Sequence, residues 1–398
     1  MIEPRGRGPT LAKDINRRTI YNVIKQKRST SRIELAKMLK LNKNTVNTIV
    51  DELIHAGFVQ DIGQKKTTSA GRKPTIIEFQ AKNKWTLGVH LSSSVIHFAV
   101  TDLYAQPLEK FSIPIEQPTP ETVVFTIKSA LDRITNTYSQ DHCIGIGIGI
   151  PGLINKNRTH VIQSSHLDWM DVPIIQELQN EIQMDYILLD NSVKLATLGE
   201  MWYGMGHGVS NFIYCNFGNG VGCGLISDNK LIRGETNAAG ELGHVIIDSH
   251  GPKCICGNYG CLETIVGLPY IFERLSKKAA VPIENITMDW IVDQIAANND
   301  LVQSDLEQVG NAIGHSLSQI INLLNPKMII CDGPLMKAAS FLFPIIERKI
   351  NSDSVSLLAK EMKLERSQLY PMAGCIGAAA LMIESWEDEV NPNDLITV

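Results

Sequence analysis

Nowhere does the 398-residue chain hold the roughly 20 uninterrupted apolar residues that a membrane helix requires. Its opening stretch, Met1 to Asp14, carries charge and glycine without the apolar run of a secretory leader. These two absences predict a soluble, cytoplasmic protein with no membrane partner. A disulfide framework is missing as well, because eight cysteines in a cytosolic chain of this length do not make one. Five of them, Cys143, Cys215, Cys223, Cys331 and Cys375, are spread through apolar stretches, where a thiol behaves as a small hydrophobe. The other three, Cys254, Cys256 and Cys261, are bunched.

Charge is not evenly spread either. The net −5 hides a basic head and an acidic body. Residues 1–80 hold 16 Lys and Arg against 7 Asp and Glu, a balance of +9, whereas residues 81–398 hold 21 against 35, a balance of −14. A basic head suits a polyanion such as nucleic acid; a merely solvated surface is the competing reading, and pattern has to decide. The length itself exceeds one ordinary core and fits two or three structural units.

The pattern in the head is helical, with short polar breaks. Ile20, Val23 and Ile24 recur at helical spacing, and Ser31 precedes Glu34 by three residues, a capping-box spacing that satisfies free amides at a helix start. Leu35, Ala36 and Leu39 give that helix an inward face. A turn at Lys40 and Leu41 leads to Asn42, a good N-cap, after which Val46, Ile49, Val50 and Leu53 form one stripe. This is the layout of a helix-turn-helix. Opposite the stripe lie Lys43, Asn44, Asn47, Thr48 and Asp51, and amide and ammonium groups there suit a reader of the DNA major groove. From Phe58 to Phe79, apolar ends flank QKKTTSAGRKP, which reads as a two-stranded wing with a basic tip, or as a linker. Lys65, Lys66, Arg72 and Lys73 supply that tip with charge for phosphate. The candidate DNA contacts are therefore Arg32, Lys43, Asn44, Thr45, Asn47, Thr48, Arg72 and Lys73.

Beyond Lys84 short β-rich runs alternate with amphipathic helices, the pattern of an α/β body. TLGVHL, HFAVTDL and CIGIGIGI read as strands and ETVVFTIKSALDRIT as a helix. A second cycle starts near Phe212, where glycines 218, 220, 222 and 224 let backbone come close to a ligand. His244, Cys254, Cys256 and Cys261 supply one imidazole and three thiolates, a set suited to a closed tetrahedral site for structural zinc (Zn2+). Four soft ligands leave no open position for catalytic water.

Taken together, the head SRIELAKMLKLNKNTVNTIVDEL with AGRKP after it, and GIGIPGLI, AAGELGH, CICGNYGCLE, NLLNPKMIICDG and GCIGAAAL in the body, resemble the ROK family of repressors, open reading frames and kinases. They resemble in particular its DNA-binding regulators, and over nearly the whole chain. The resemblance implies an α/β protein with a winged helix-turn-helix DNA-binding domain over residues 1–80. Residues 81–398 are then a two-lobed actin-like ATPase (ROK sugar-kinase-like) domain for effector sensing and oligomerisation. It further implies that Asn191, Glu241, His244 and Glu263 hold sugar hydroxyls, which suits amide, carboxylate and tautomer-fixed imidazole donors and acceptors. Glu241 or Glu263 bracing the metal loop is the alternative.

Departures from the family pattern separate kinase from regulator. Family kinases open with Asp-x-Gly-Gly-Thr, which approaches ATP phosphates; here the stretch is His90-Leu91-Ser92-Ser93-Ser94. In LLDNSVKLATLGE, Ser192 falls where those kinases carry the Asp that takes the sugar proton, and Lys194 replaces an Asn. A neutral serine is no such base. Asn219 stands where kinases usually have Thr. The expectation is a non-enzymatic repressor of carbohydrate-utilisation genes that binds a pseudo-palindromic double-stranded DNA operator, takes a sugar or sugar-phosphate effector and forms a homodimer or homotetramer. An active sugar kinase with a DNA-binding head, or a body that docks a protein instead of a sugar, are the rivals.

Overall fold

The computed structural model describes residues 8–64, 75–184 and 186–389. Helix α1 (Gly8–Lys27) leads through strand β1 (Ser29–Ser31) into α2 (Arg32–Leu39) and α3 (Lys43–His55). Strands β2 (Val59–Gln64) and β3 (Thr75–Phe79) complete the head as an antiparallel sheet of order β1-β3-β2. The local signals act as chemistry requires. Ser31 Oγ accepts from the Glu34 amide at 3.2 Å, and Lys40 takes a left-handed φ of 53° to turn the chain between the two helices. Ile20, Ile24, Leu35, Val46, Ile49, Val50 and Leu53 close into one buried cluster. Helix α1 begins at Gly8, well before Ile20, the first residue of the helical pattern in the sequence. Its early turns are tied to α3, because Lys13 and Arg17 both pair with Glu52.

The body has two lobes. Lobe I contains β4 (Trp85–Leu91), β5 (Val95–Thr101), β6 (Pro107–Pro114), α4 (Pro120–Thr135), β7 (Cys143–Ile150), β8 (Leu153–Ile154), β9 (Val161–Ser164), β10 (Trp169–Val172), α5 (Ile174–Glu181) and β11 (Ile187–Asn191). Its main sheet has the order β11-β7-β4-β5-β6, and β8 to β10 form a small sheet beside it. From β11 the chain enters α6 (Ser192–Trp202) and crosses to lobe II. There lie β12 (Phe212–Phe217), β13 (Val221–Ser227), β14 (Lys230–Leu231), α7 (Glu263–Val266), α8 (Leu268–Ala279), α9 (Met288–Ala296), α10 (Asp300–Leu324), β15 (Met328–Asp332), α11 (Ala339–Asp353), α12 (Ser356–Glu361) and β16 (Lys363–Arg366). The sheet order is β14-β13-β12-β15-β16, with β12 parallel to β15 and antiparallel to β13. Each lobe buries its own aliphatic core.

Helix α13 (Ala373–Glu389) returns from lobe II to lie on the lobe I sheet and against α6. Contact is backbone to backbone. A side-chain carbon at Gly147 of β7 would stand 2.0 Å from the Ala378 oxygen, and one at Gly377 would stand 1.6 Å from the Leu195 oxygen. The far end of α13 meets the head. Ile376, Ile383 and Trp386 share a single apolar cluster with Ile20, Tyr21, Ile24, Phe58 and Phe79, and the Phe58 and Trp386 rings lie 5.8 Å apart. Tyr21 Oη and Lys25 Nζ both donate to Glu387 Oε1, at 2.8 and 2.6 Å. The sequence reading treats head and body as separate modules; in the fold they share a core, because the last helix bridges them.

Candidate functional site

Three places carry chemistry, and the first is the outer face of α3. Asn42 Oδ1 accepts from the Asn44 amide at 2.9 Å, which fixes the start of the helix. Lys43, Asn44, Asn47 and Thr48 are exposed and Thr45 is half-buried, so the amide and ammonium groups face outward together. Arg32 is engaged inside the head: its guanidinium meets Asp51 at 2.7 Å, Asp61 at 3.8 Å and the Asn47 carbonyl at 3.5 Å. It braces α2, α3 and β2 against one another. Arg72 and Lys73, like Lys65 and Lys66, lie outside the described residues.

The second place is where α6 begins. Asn191 ends β11, and its Oδ1 accepts from the Val193 and Lys194 amides at 2.9 and 3.1 Å while its Nδ2 donates to the Gly152 carbonyl at 2.9 Å. Ser192 is buried at the first helical position. Lys194 is also buried, and its Nζ donates to the Asn237 carbonyl at 2.8 Å. Burial lowers its pKa, while Asp190 and Glu241 act in the opposite sense. Glu241 is exposed and precedes the turn that carries half-buried His244. Glu263 is buried at the start of α7 and accepts from the Val221 amide at 2.9 Å. A side chain at Gly220 would come within 2.5 Å of His166 Nε2 and 2.9 Å of Glu263 Oε2, so His166 and Glu263 flank the glycine turn together. Sequence reasoning missed His166, and it missed Arg158, Arg233 and Asn237 around Asp190. None belongs to a motif, and they arrive from three separate loops, Arg233 and Asn237 sharing the one after β14.

The third place is the sulfur cluster. His244, Cys254, Cys256 and Cys261 offer donor atoms that all lie within 4.8 Å of one another. Cys256 and Cys261 Sγ are 3.7 Å apart, and His244 Nδ1 is 3.5 Å from Cys254 Sγ. A tetrahedral ion bound at about 2.3 Å to sulfur and about 2.0 Å to nitrogen sets these separations at ~3.8 and ~3.5 Å. The four side chains therefore fit a metal ion.

Residues 86–385 match the ROK family, and residues 13–60 match a winged helix-turn-helix DNA-binding family. The chain belongs to the ROK family. Among its ROK relatives, the xylose repressor of Caldicellulosiruptor bescii is 28% identical over 388 residues, covering 94% of this chain and 96% of that one. The DNA-binding transcriptional dual regulator NagC of Escherichia coli is 26% identical over 380 residues, covering 94% and 93%. A solved ROK family transcriptional regulator, a homologue of the E. coli MLC protein, superposes with a TM-score of 0.83 at 26% identity, over 97% of this chain and all of that one. A ROK family glucokinase from Streptomyces griseus, solved with glucose and AMPPNP, has a TM-score of 0.67 at 22% identity over 75% of this chain and 98% of its own. It shares the fold of the two lobes.

Within this ROK body, the loops expected to differ from a kinase are occupied by contacts of their own. Ser92 Oγ donates to the Val95 carbonyl at 2.8 Å and so closes the β4–β5 turn. Ser93 Oγ accepts from Asn219 Nδ2 at 3.1 Å, a bond that joins the turn of lobe I to the glycine turn of lobe II. His90 has its Nδ1 sealed from solvent without a partner, against Gly374 at the start of α13. Burial, with His97 alongside, lowers its pKa to about 4. The folded protein thus keeps His90 neutral where the unfolded chain, with an ordinary pKa near 6.5, takes up a proton. Stability is fully present above pH ~6.5 and falls by about 1.4 kcal/mol per unit down to pH ~4. Chemical denaturation of His90→Phe across that window is expected to show a shallower slope; an unchanged slope would refute the assignment.

Proposed function

We propose that this chain is a DNA-binding transcriptional repressor of carbohydrate-utilisation genes whose ROK body senses a sugar or sugar phosphate and performs no catalysis. The single observation that carries this reading is the seam between the winged head and α13, the helix that also lies backbone to backbone on α6. Asn191, which caps α6, stands at the other end of the same path. An effector held by Asn191, Glu241, His244 and Glu263 that prefers one arrangement of the lobes shifts α6 and α13, and with them the head. Only such a differential preference can move the equilibrium. The protein acts as a symmetric homodimer or homotetramer in the cytoplasm. Its paired α3 helices enter successive major grooves of a pseudo-palindromic operator, where a small change in head spacing misplaces one of them. Residues 1–80 serve as the DNA-binding domain and residues 81–398 as the sensing and oligomerisation domain. Arg32 holds the reading helix in position, and Arg72 and Lys73 take the phosphates beside it.

Phosphoryl transfer is disfavoured by the residues themselves. Ser192 offers no base for a sugar hydroxyl, and the Ser93–Asn219 bond crosses the line between the two turns that would have to admit phosphate. The metal is zinc, because three thiolates and one imidazole select a soft tetrahedral ion. With four protein donors it has no open position, so it cross-links the segment from His244 to Cys261 and leaves the chemistry of recognition to Glu241, His244 and Glu263.

The test is operator binding with and without candidate sugars, by fluorescence anisotropy on an operator duplex and a scrambled one. Asn47→Ala is expected to lower operator affinity about 10- to 100-fold, in keeping with ~1–3 kcal/mol per base contact, while leaving salt-sensitive binding to the scrambled duplex. Equal affinity of wild type and variant for the operator would remove α3 as the reader.

A further inference from the structure

We infer that the effector is anionic, a sugar phosphate or a sugar acid, and that Lys194, Arg233 and Arg158 form the cationic rim that selects it. The inference rests on the body being the effector site proposed above. Asp190, with no exposed surface, is the hub of the cluster. Its Oδ2 pairs with Arg233 and lies 3.9 Å from the Arg158 guanidinium; its Oδ1 accepts from the Asn191 amide at 2.8 Å and from Asn237 Nδ2 at 3.4 Å. Arg233 also donates to Asn237 Oδ1 at 3.0 Å, and Lys194 to the Asn237 carbonyl at 2.8 Å. Three cations thus gather around buried Asp190, Arg233 and Arg158 directly and Lys194 through the Asn237 that Arg233 also holds.

The sign of the charge is the informative part. The first turn of α6 carries neutral Ser192 and, two residues on, buried Lys194, so its only formal charge is positive. A neutral ligand offers a buried ammonium only hydroxyl acceptors, whereas an anion also compensates its charge. Lys194 has three N–H donors, of which the Asn237 carbonyl accounts for one. Arg158 and Arg233 keep 31% of their side chains exposed, so the rim reaches solvent. It also straddles the lobes. Arg158 sits on the β8–β9 turn of lobe I, Arg233 follows β14 of lobe II, and Lys156 pairs with Glu235 at 2.8 Å beside them. An anion gripped by Arg158 and Arg233 together draws the two lobes onto each other, which supplies the differential binding that the repressor reading needs.

The experiment is calorimetric titration of the full chain with xylose, glucose and N-acetylglucosamine, their phosphate esters, glucuronate, and inorganic phosphate alone. A charged sugar is expected to bind about 10- to 100-fold more tightly than its neutral parent, the yield of one charge-assisted hydrogen bond, and to weaken as ionic strength rises. The ester and uronate arms separate a phosphate from a carboxylate. Lys194→Met and Arg158→Gln should each erase most of that preference; Arg158 is on a partly exposed turn, so its variant keeps the test valid if the buried Lys194 variant does not fold. A neutral sugar binding as tightly as its charged forms, or inorganic phosphate binding as tightly as the esters, would overturn the inference and leave the sugar-responsive repressor standing. Failure of every sugar, charged or neutral, with operator binding intact, would overturn both.

Discussion

Purified protein carrying Cys261→Ser is expected to lose the metal ion proposed above and, with it, the order of the segment from His244 to Glu263. Cys261 is wholly buried, and the Glu263 carboxylate two residues later holds the Val221 amide, so the metal loop and the glycine turn of lobe II are mechanically one piece. Besides the cluster the loop is held by backbone hydrogen bonds, among them Cys254 to the Asn258 carbonyl at 2.7 Å and Leu262 to the Val245 carbonyl at 2.9 Å, and it buries little apolar surface of its own. Near the cluster Val245, Ile246, Ile255 and Tyr259 are all exposed, and the segment contains no α-helix or multi-residue strand before α7. Structural zinc in small peptide sites is worth about 10–16 kcal/mol at neutral pH, and this loop lacks the apolar burial to replace it. The same outcome is expected from an excess of a strong chelator. Metal content by atomic emission and unfolding by calorimetry would check it, together with sugar binding, which should fall because Glu241, His244 and Glu263 belong to the affected piece. A metal-free preparation with wild-type melting would dispose of the structural zinc.

Trp386→Ala is expected to uncouple the head from the body. The ring is buried between Phe58 and the rest of the shared cluster, and truncating a buried aromatic costs about 3–5 kcal/mol, a large part of the stability of a small winged domain. Heat should then melt head and body in separate transitions. Operator binding should persist at low temperature yet no longer respond to a saturating effector, since the path through α13 ends at this side chain. Glu387→Gln is the gentler version: it removes charge from the acceptor of Tyr21 and Lys25 while keeping the shape, so it should weaken coupling and leave both domains folded. A Trp386→Ala protein that still releases operator on effector binding would show that the signal travels elsewhere.

Much of the head was legible because its determinants are near neighbours in the chain. Ser31 reaches the Glu34 amide and Asn42 the Asn44 amide, and the stripe of Val46, Ile49, Val50 and Leu53 needs only the helical period to find its inward face. The role of Arg32 was not legible in that way. Its type and position suit a DNA contact, and the fold adds that Asp51 and Asp61 reach it from the other two elements. In the body the resemblance located Ser192 and Lys194, yet gave no partner for either.

By itself the sequence determined the helix-turn-helix, the α/β alternation and the four metal donors, because periodicity, caps and a ligand set that lies within 18 residues act over a few turns of chain. Tertiary structure alone decided that α13 joins head to body, that Ser93 meets Asn219 across 126 residues, and that Lys194 and Arg233 converge on Asn237. Such contacts depend on how whole layers pack. A residue's type says what it is able to bind, whereas the partner that satisfies it is chosen by the fold, which brings distant segments within hydrogen-bond reach once both cores have closed.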